Sequence, residues 1–378
     1  MYYLFATALL LLLPLRGAAQ LVEPAWLNPE RQTVLMQQAI ELYTCIANVN
    51  DWKTLPTDLR LSPGDTNVAV PKLQHNLLLT KDLQLDHLDS TSVYDSLLVV
   101  ATINFQKRHG IKATGIVGPQ TIAAINVLPS QRLKLLQVNL QRWQSACADI
   151  EFPAIFINIP AFNLYLADSS KVLLQMRTIV GKKSSPTYQN KTELLSIVVN
   201  PNWNLPKSIS VNEIVPILRR NPNYLYKRNM RVYLDGRQIN PWRVNWHKVN
   251  ASNFNYQIVQ LPGKQNELGE LKFLYNSKAN QYMHDTPRKE LFKYEQRDFS
   301  HGCIRLEKPY ELALYLLQQR SDQTEEKAKA LLARWDRNLY LRIRKPMPLH
   351  IIYQTAWVDQ NGKVQFRNDV YGYESANL

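Results

Sequence analysis

The sequence predicts an α+β protein: a helical first part, then a mostly β remainder interrupted by one long insertion. Three observations lead there. Before about residue 150 apolar side chains recur at helical spacing, as Leu133, Leu136, Leu140 and Trp143 do. Beyond Pro153 the pattern changes to short apolar runs, Ile155 to Ile159, Leu164 to Leu166, Val172 to Val180 and Ser196 to Val199, which read as strands. Between Trp203 and Tyr256 the β pattern breaks, and basic and aromatic residues accumulate, among them Arg219, Tyr226, Arg228, Trp242 and Trp246.

Taken in order, Leu4 to Leu15 is apolar and is followed by Arg16-Gly17-Ala18-Ala19-Gln20, with small residues where a secretory signal is cleaved. The run is too short to span a bilayer comfortably. We therefore expect a signal peptide over residues 1–19 and an exported chain in the periplasm or cell envelope. Met1-Tyr2-Tyr3 carries no basic side chain, so an uncleaved anchor is the alternative; no cysteine ends the run, which argues against a lipoprotein. Residues 20–60 predict a helical lead-in, with Leu35, Ala39, Leu42 and Ile46 in phase. Residues 61–128 predict short helices joined by tight turns, opened by Leu61-Ser62-Pro63-Gly64-Asp65. Pro119 suits the first turn of a helix. A linker helix is expected within 129–152, and a β domain over 153–378 with an insertion at about 203–256. Helices return at Lys308 to Gln318 and Thr324 to Trp335, and Asn361-Gly362 marks a final hairpin.

The chain has 378 residues, a formal net charge of +14 and three cysteines. Its length allows two or three domains and a sizeable core. The basic balance would suggest nucleic acid, but an export signal argues against that partner, and a basic surface concentrates anionic polymers instead. With three cysteines at least one lacks an intramolecular partner, whatever the connectivity. Cys45 and Cys147 read as small buried hydrophobes or as a disulfide with each other. The histidines and cysteines fall at no recognisable metal-ligand spacing, and no cofactor is indicated. Oligomeric state is not legible.

Chemistry concentrates in Ser300-His301-Gly302-Cys303-Ile304-Arg305, with a second histidine upstream in Tyr282-Met283-His284-Asp285-Thr286-Pro287. A thiol is mostly protonated near neutral pH and needs a neighbour that takes its proton or stabilises the thiolate. Fifteen residues separate His284 from Ser300, enough for a loop and a second strand, so the His284 and Cys303 side chains could meet across a sheet. Gly302 lets backbone approach a substrate, and the amides around Gly302 and Cys303 could donate to an oxyanion. Thiolate attack on a carbonyl, a thioester, and capture by an amine or water follow as the chemistry. His284 ranks above His301 as the base, since His301 could orient the loop or line the oxyanion site. Asp285 would point to the other sheet face, so a backbone carbonyl is the better partner for the imidazole. Arg305 and Arg297 could grip carboxylates through bidentate geometry, or brace the fold.

The spaced pattern of His284 and Ser-His-Gly-Cys-x-Arg resembles the signature of the L,D-transpeptidase (YkuD-type) catalytic domain. Ile179-Val180-Gly181-Lys182, Asn200-Pro201-Asn202-Trp203-Asn204-Leu205-Pro206 and Leu261-Pro262-Gly263-Lys264-Gln265-Asn266-Glu267-Leu268-Gly269 extend the resemblance to its large, lid-bearing branch, over about Pro153 to Leu317. The resemblance implies a mostly β catalytic domain whose insertion is a lid. It also implies 3→3 cross-linking of peptidoglycan stem peptides through a thioester on Cys303, with Arg305, Tyr282 and Ser300 at the substrate. Leu73-Gln74, Leu77, Phe105 to Ile111 and Gly118-Pro119-Gln120-Thr121 resemble the type-1 peptidoglycan-binding domain, although the polar stretch Thr80 to Thr91 lacks the expected glycine. Stem peptides, and anionic wall polymers, are then the expected partners. The competing readings are an L,D-carboxypeptidase, in which water resolves the thioester, and an inactive wall-binding protein.

Overall fold

A computed structural model describes residues 28–84, 92–147 and 149–374. The expected signal peptide and part of the Thr80 to Thr91 stretch lie outside these residues. Helix α1 (Pro29–Val49) opens with the Asn28 side chain accepting from the Arg31 amide and a proline in its first turn, two devices that satisfy or remove orphan donors. Helices α2 (Val70–Leu79), α3 (Ser96–Arg108) and α4 (Pro119–Ile125) enclose a core of Leu61, Leu73, Leu77, Tyr94, Phe105 and Ile122. Helix α5 (Pro129–Cys147) then lies against α1.

The β domain follows as strands β1 (Ala154–Asn158), β2 (Asn163–Ala167), β3 (Val172–Ile179) and β4 (Asn190–Val199). The insertion begins at β5 (Trp203–Asn204), α6 (Lys207–Ile209), a π-helical turn (Ser210–Ile214), α7 (Val215–Arg220) and α8 (Asn223–Lys227). It continues through β6 (Met230–Leu234), β7 (Arg237–Ile239) and β8 (Tyr256–Gln260). The chain returns to the main sheet with β9 (Leu271–Tyr275), β10 (Met283–His284) and β11 (Ile304–Leu306), followed by α9 (Pro309–Ser321), α10 (Glu325–Leu332) and the long β12 (Leu339–Ile352). A terminal hairpin comprises β13 (Ala356–Val358) and β14 (Val364–Phe366).

Eight strands close into a barrel in the order β1-β12-β4-β9-β10-β11-β3-β2. Closure leaves no free edge among these strands. Alternation decides which side chains enter: Phe273, Met283, Ile304 and Leu306 point into a fully buried core with Ile157, Leu164, Ile197 and Leu349. Each such residue contributes roughly 1.5–3 kcal/mol of transfer free energy. Residues between them face outward, and that outer face carries the polar groups described below.

Several expectations change. The insertion is not irregular: β5, β8, β6 and β7 form their own four-stranded sheet over a core that includes Leu218, Val232, Trp246 and Ile258. Its strands are short and rich in arginine and tyrosine, which masks their period in the sequence. The terminal hairpin packs its Ala356, Val358 and Phe366 on Met36, Tyr43 and Leu136 of α1 and α5, so lead-in, linker and tail share one core. Cys45 and Cys147 are not bonded: Cys147 is buried and Cys45 exposed, since α1 turns Met36, Ala39, Tyr43 and Ile46 inward instead.

Candidate active site

Strands β10 and β11 run parallel with His284 opposite Arg305 and Met283 opposite Ile304. Tyr282, one residue before β10, therefore faces Cys303, and the Ile304 amide donates to the Tyr282 carbonyl at 3.0 Å. Because Met283 and Ile304 point into the core, Tyr282, His284, Cys303 and Arg305 share the outer face. On the other side of β10, Lys272 of β9 is the antiparallel partner of His284. The outer face thus holds Lys272, His284 and Arg305 in one row, with Tyr282 and Cys303 beside it.

His284 is buried, and its Nδ1 meets the Asp285 carbonyl at 2.5 Å. A carbonyl only accepts, so Nδ1 carries the proton and Nε2 keeps a lone pair. Burial, helped by the Arg305 charge, pushes the imidazole down to about 3, so it is neutral at physiological pH. The Asp285 carboxylate is engaged elsewhere, accepting from the Glu270 amide and from Lys289. Burial pushes the Cys303 thiol up, opposed by hydrogen bonds from the Tyr282 amide and phenol and by the Lys272 and Arg305 charges. The resting pair is therefore neutral thiol and neutral imidazole. Lys272 Nζ lies 3.8 Å from the centre of the Tyr282 ring, a cation–π contact that holds phenol and ammonium together beside the sulfur. Burial lowers the Lys272 pKa while Cys303 opposes the shift.

The turn carrying Cys303 is braced from three directions. Ser300 Oγ donates to the Cys303 carbonyl at 2.6 Å and accepts from the Gly302 amide at 3.1 Å. Thr187 Oγ1 donates to the Gly302 carbonyl at 2.8 Å and accepts from the Gly181 amide at 2.9 Å. Tyr371 donates to the Gly181 carbonyl and accepts from the Thr187 amide. Gly302 has φ +109°, and a Cβ there would lie 2.6 Å from Gln281 Nε2; a Cβ on Gly181 would lie 2.1 Å from the Ser185 carbonyl oxygen. Both positions require glycine.

These contacts revise three sequence assignments and decide between the two alternatives for Arg297. Ser300 is buried and engaged in the turn, not open to substrate. The Gly302 amide already has an acceptor, whereas among the described residues the Cys303 amide has none and is a free donor at the turn. Arg297 is buried and gives its N–H groups to the carbonyls of Thr178, Phe162, Tyr294 and Glu295, so it braces the fold. His301 is exposed and pairs through Nε2 with Glu213 Oε1 of the insertion at 2.7 Å, instead of lining an oxyanion site. Arg305, by contrast, keeps a buried Nε with no partner. A buried unpaired guanidinium N–H is costly, and an incoming carboxylate or carbonyl would relieve it. Sequence reasoning missed Lys272, whose only signal is its register with His284.

The insertion reaches this face at two further points. Trp203 hydrogen-bonds the Tyr282 phenol, and Glu267 accepts from Arg228 of the insertion and from Arg288 beyond β10. Of its aromatic residues, Trp246 is core, while Tyr226 and Trp242 are exposed.

A cysteine and a buried histidine share the outer face of adjacent strands in a closed mixed barrel, an arrangement suited to acyl transfer through a thiol. Residues 153–327 match the family described as "L,D-transpeptidase catalytic domain", and residues 67–125 match "Putative peptidoglycan binding domain". By these matches the second part of the chain is similar to L,D-transpeptidase catalytic domains of the YkuD type, and the helical part before it to peptidoglycan-binding domains. A Haemophilus influenzae protein described as "Putative L,D-transpeptidase" is 34% identical over 222 residues, which are 58% of this chain and 44% of that protein. The chain thus spans less than half the length of that relative. Among solved structures, an L,D-transpeptidase from Stackebrandtia nassauensis is 13% identical with a TM-score of 0.28 over 79% of this chain and 97% of that one. One from Mycobacterium smegmatis is 12% identical with a TM-score of 0.24 over 52% and 57%.

Proposed function

We propose that the protein is an exported L,D-transpeptidase that joins two peptidoglycan stem peptides by a 3→3 link through a thioester on Cys303. The supporting observation is the outer face shared by Cys303, Tyr282, His284 and Arg305 on neighbouring strands. As Cys303 Sγ attacks the carbonyl preceding a terminal D-residue, its proton passes to His284 Nε2. Because the imidazole rests neutral, it can accept that proton at once. The negative charge on the carbonyl oxygen falls to the Cys303 amide, an unengaged donor at the turn. When the C–N bond breaks, His284 returns the proton to the departing D-amino acid. An amine of the second stem then attacks the thioester, His284 takes its proton, and the thiolate leaves and is reprotonated. Tyr282 and Lys272 stabilise negative sulfur in both half-reactions, and Arg305 holds a substrate carboxylate or carbonyl. The insertion acts as a lid anchored by the Glu213 to His301 contact.

Incubating the purified protein with tetrapeptide-stem muropeptides and separating products by mass spectrometry tests this. Cross-linked dimers with loss of a D-residue are expected, and Cys303→Ala should produce none. Tripeptide monomers alone would instead mean that water resolves the thioester, making the protein a carboxypeptidase.

A further inference from the structure

Two of the concavities away from the barrel face contrast in how far their polar groups are engaged. A cleft of about 1450 Å³ beside the helical domain takes in His109 and Arg367, and the Arg367 fork is already given to the Arg108 and Phe366 carbonyls and to Gln365. The other is a groove of about 610 Å³ in the insertion, where α8 meets the β6–β7 hairpin. That volume lies within the roughly 300–1,000 Å³ of ordinary ligand pockets and suits one or two side chains of a short segment. Leu225, Val232 and Ile239 supply apolar lining, while Tyr226 and Trp242 line it and are still 80% and 60% exposed, which puts both rings at its mouth.

The groove runs along an open sheet edge. Strand β7 is the last in the order β5-β8-β6-β7, so one of its sides faces no strand. Its hairpin turns through Asp235-Gly236, both at positive φ (51° and 77°), with Leu234 paired to Arg237 and Tyr233 to Gln238. In such a two-residue hairpin the pair flanking the turn exchanges both backbone hydrogen bonds and the next pair exchanges none. Gln238, which lines the groove, therefore turns its backbone N–H and C=O to the open edge. Among the described residues its side-chain amide has no partner either, and Arg231 in the same groove gives one N–H to the Met230 carbonyl and has no carboxylate within ion-pairing distance. The surroundings are strongly cationic. From Trp203 to Tyr256 nine lysines and arginines stand against two carboxylates, Glu213 and Asp235, and Glu213 is held by His301. Arg219 and Arg228 are engaged by the Trp246 and Val249 carbonyls and by Glu267. Lys227, Arg237 and Arg243 are exposed and, among the described residues, have no ion pair. Like charges on an edge strand deter pairing with a second copy of this chain, and the same charges favour an acidic one.

We propose that this edge of the insertion docks an extended acidic segment of another protein, which adds as a strand beside β7 and sets an apolar side chain in the groove between Tyr226 and Trp242. Backbone pairing at Gln238 fixes the register, the groove selects the side chain, and the arginines take the flanking carboxylates. The site uses no residue of the Cys303 face and stands whether or not that face is catalytic.

Calorimetric titration of the full chain tests this with a short end-blocked peptide that alternates glutamate and threonine around one central leucine. Its lysine counterpart should not bind, and the affinity of the acidic peptide should fall as salt screens the charges. Two further versions carry methyl groups on alternate backbone nitrogens, in opposite phase. They keep every charge, but only one phase removes the N–H groups that face β7, so one should bind about tenfold or more weakly and the other within about threefold of the parent. Arg237→Glu with Arg243→Glu should weaken binding by about tenfold or more, as charge reversal at an electrostatic contact does. Trp242→Ala should cost about fivefold or more, the scale of a truncated aromatic anchor. All three positions are exposed, and thermal melting checks that the variants are folded. Failure of the acidic peptide to bind, equal binding of the lysine peptide, equal behaviour of the two methylated phases, or an affinity untouched by the arginine reversal would each overturn the proposal. So would binding to vesicles of anionic phospholipid without binding of the peptide, which would make the cations a membrane contact instead.

Discussion

The barrel face around Cys303 and the cleft beside the helical domain are built from the same ingredients. Each holds a buried imidazole kept neutral, His284 in one and His109 in the other, with cations crowded around it. In the cleft, His109 stacks between Phe105 and Phe366 and its Nδ1 meets the Phe105 carbonyl, so the ring is packing material. On the barrel face, the ring shares its side of the sheet with a thiol and has a free lone pair. A shifted pKa alone therefore does not mark chemistry. What distinguishes the two regions is the presence of a thiol beside the imidazole.

Four measurements would break or sharpen that contrast. The largest effect is expected from Cys303→Ala, roughly a 10⁶-fold loss of turnover, the scale for deleting a nucleophile; dimer formation followed by mass spectrometry reads it. Residual cross-linking near the wild-type rate would erase the distinction between the regions. Next, His284→Ala should cost about 10²–10⁴-fold in Cys303 acylation, the usual range for a general base. His109→Phe should leave the acylation rate within about twofold, since stacking and not proton transfer is its contribution.

A third test treats the buried imidazoles together. His284 is pushed down to about 3 and His350 to about 4, chiefly by burial, and His109 lies well below its usual value. Below pH 6.5 the unfolded chain binds protons that the native one refuses, so stability falls as pH falls. Each of these histidines should remove about 1.4 kcal/mol per pH unit between 6.5 and roughly 4. Melting temperatures at pH 7, 6 and 5 check this; a flat profile would show that neither region holds a neutral imidazole. The smallest effect concerns Lys272→Met, which should slow iodoacetamide alkylation of Cys303 by about tenfold at pH 8, because it removes a charge that favours the thiolate. Since burial already raises this thiol, the wild-type rate should keep climbing with pH through the ordinary thiol range. A plateau at pH 6 to 7 would instead reveal a preformed ion pair.

Much of this was legible in the sequence. The helical periodicity of α1 and α5, the apolar runs of β1 to β4 and the Cys303 motif are local signals, and local signals survive without a structure. The alternative of a backbone carbonyl for His284, argued from strand alternation at Asp285, matches the observed 2.5 Å contact. What failed or stayed open depended on distant chain. Arg297 could be read as a carboxylate grip because its carbonyl acceptors come from Phe162 and Thr178, far upstream. Lys272 was invisible because nothing near it in sequence is chemical; only pairing of β9 with β10 brings it beside Cys303. The Glu213 partner of His301 arrives from the insertion, whose own sheet was hidden by short, polar strands.

Tyr371 carries one consequence outward from the turn. Its hydroxyl touches both ends of the Gly181 to Thr187 segment that cradles Gly302, and it comes from the tail rather than from the barrel. A protease nick just ahead of Tyr371 would thus loosen the support of the Cys303 turn without touching Cys303 or His284, making the tail a place from which the proposed activity is silenced at a distance.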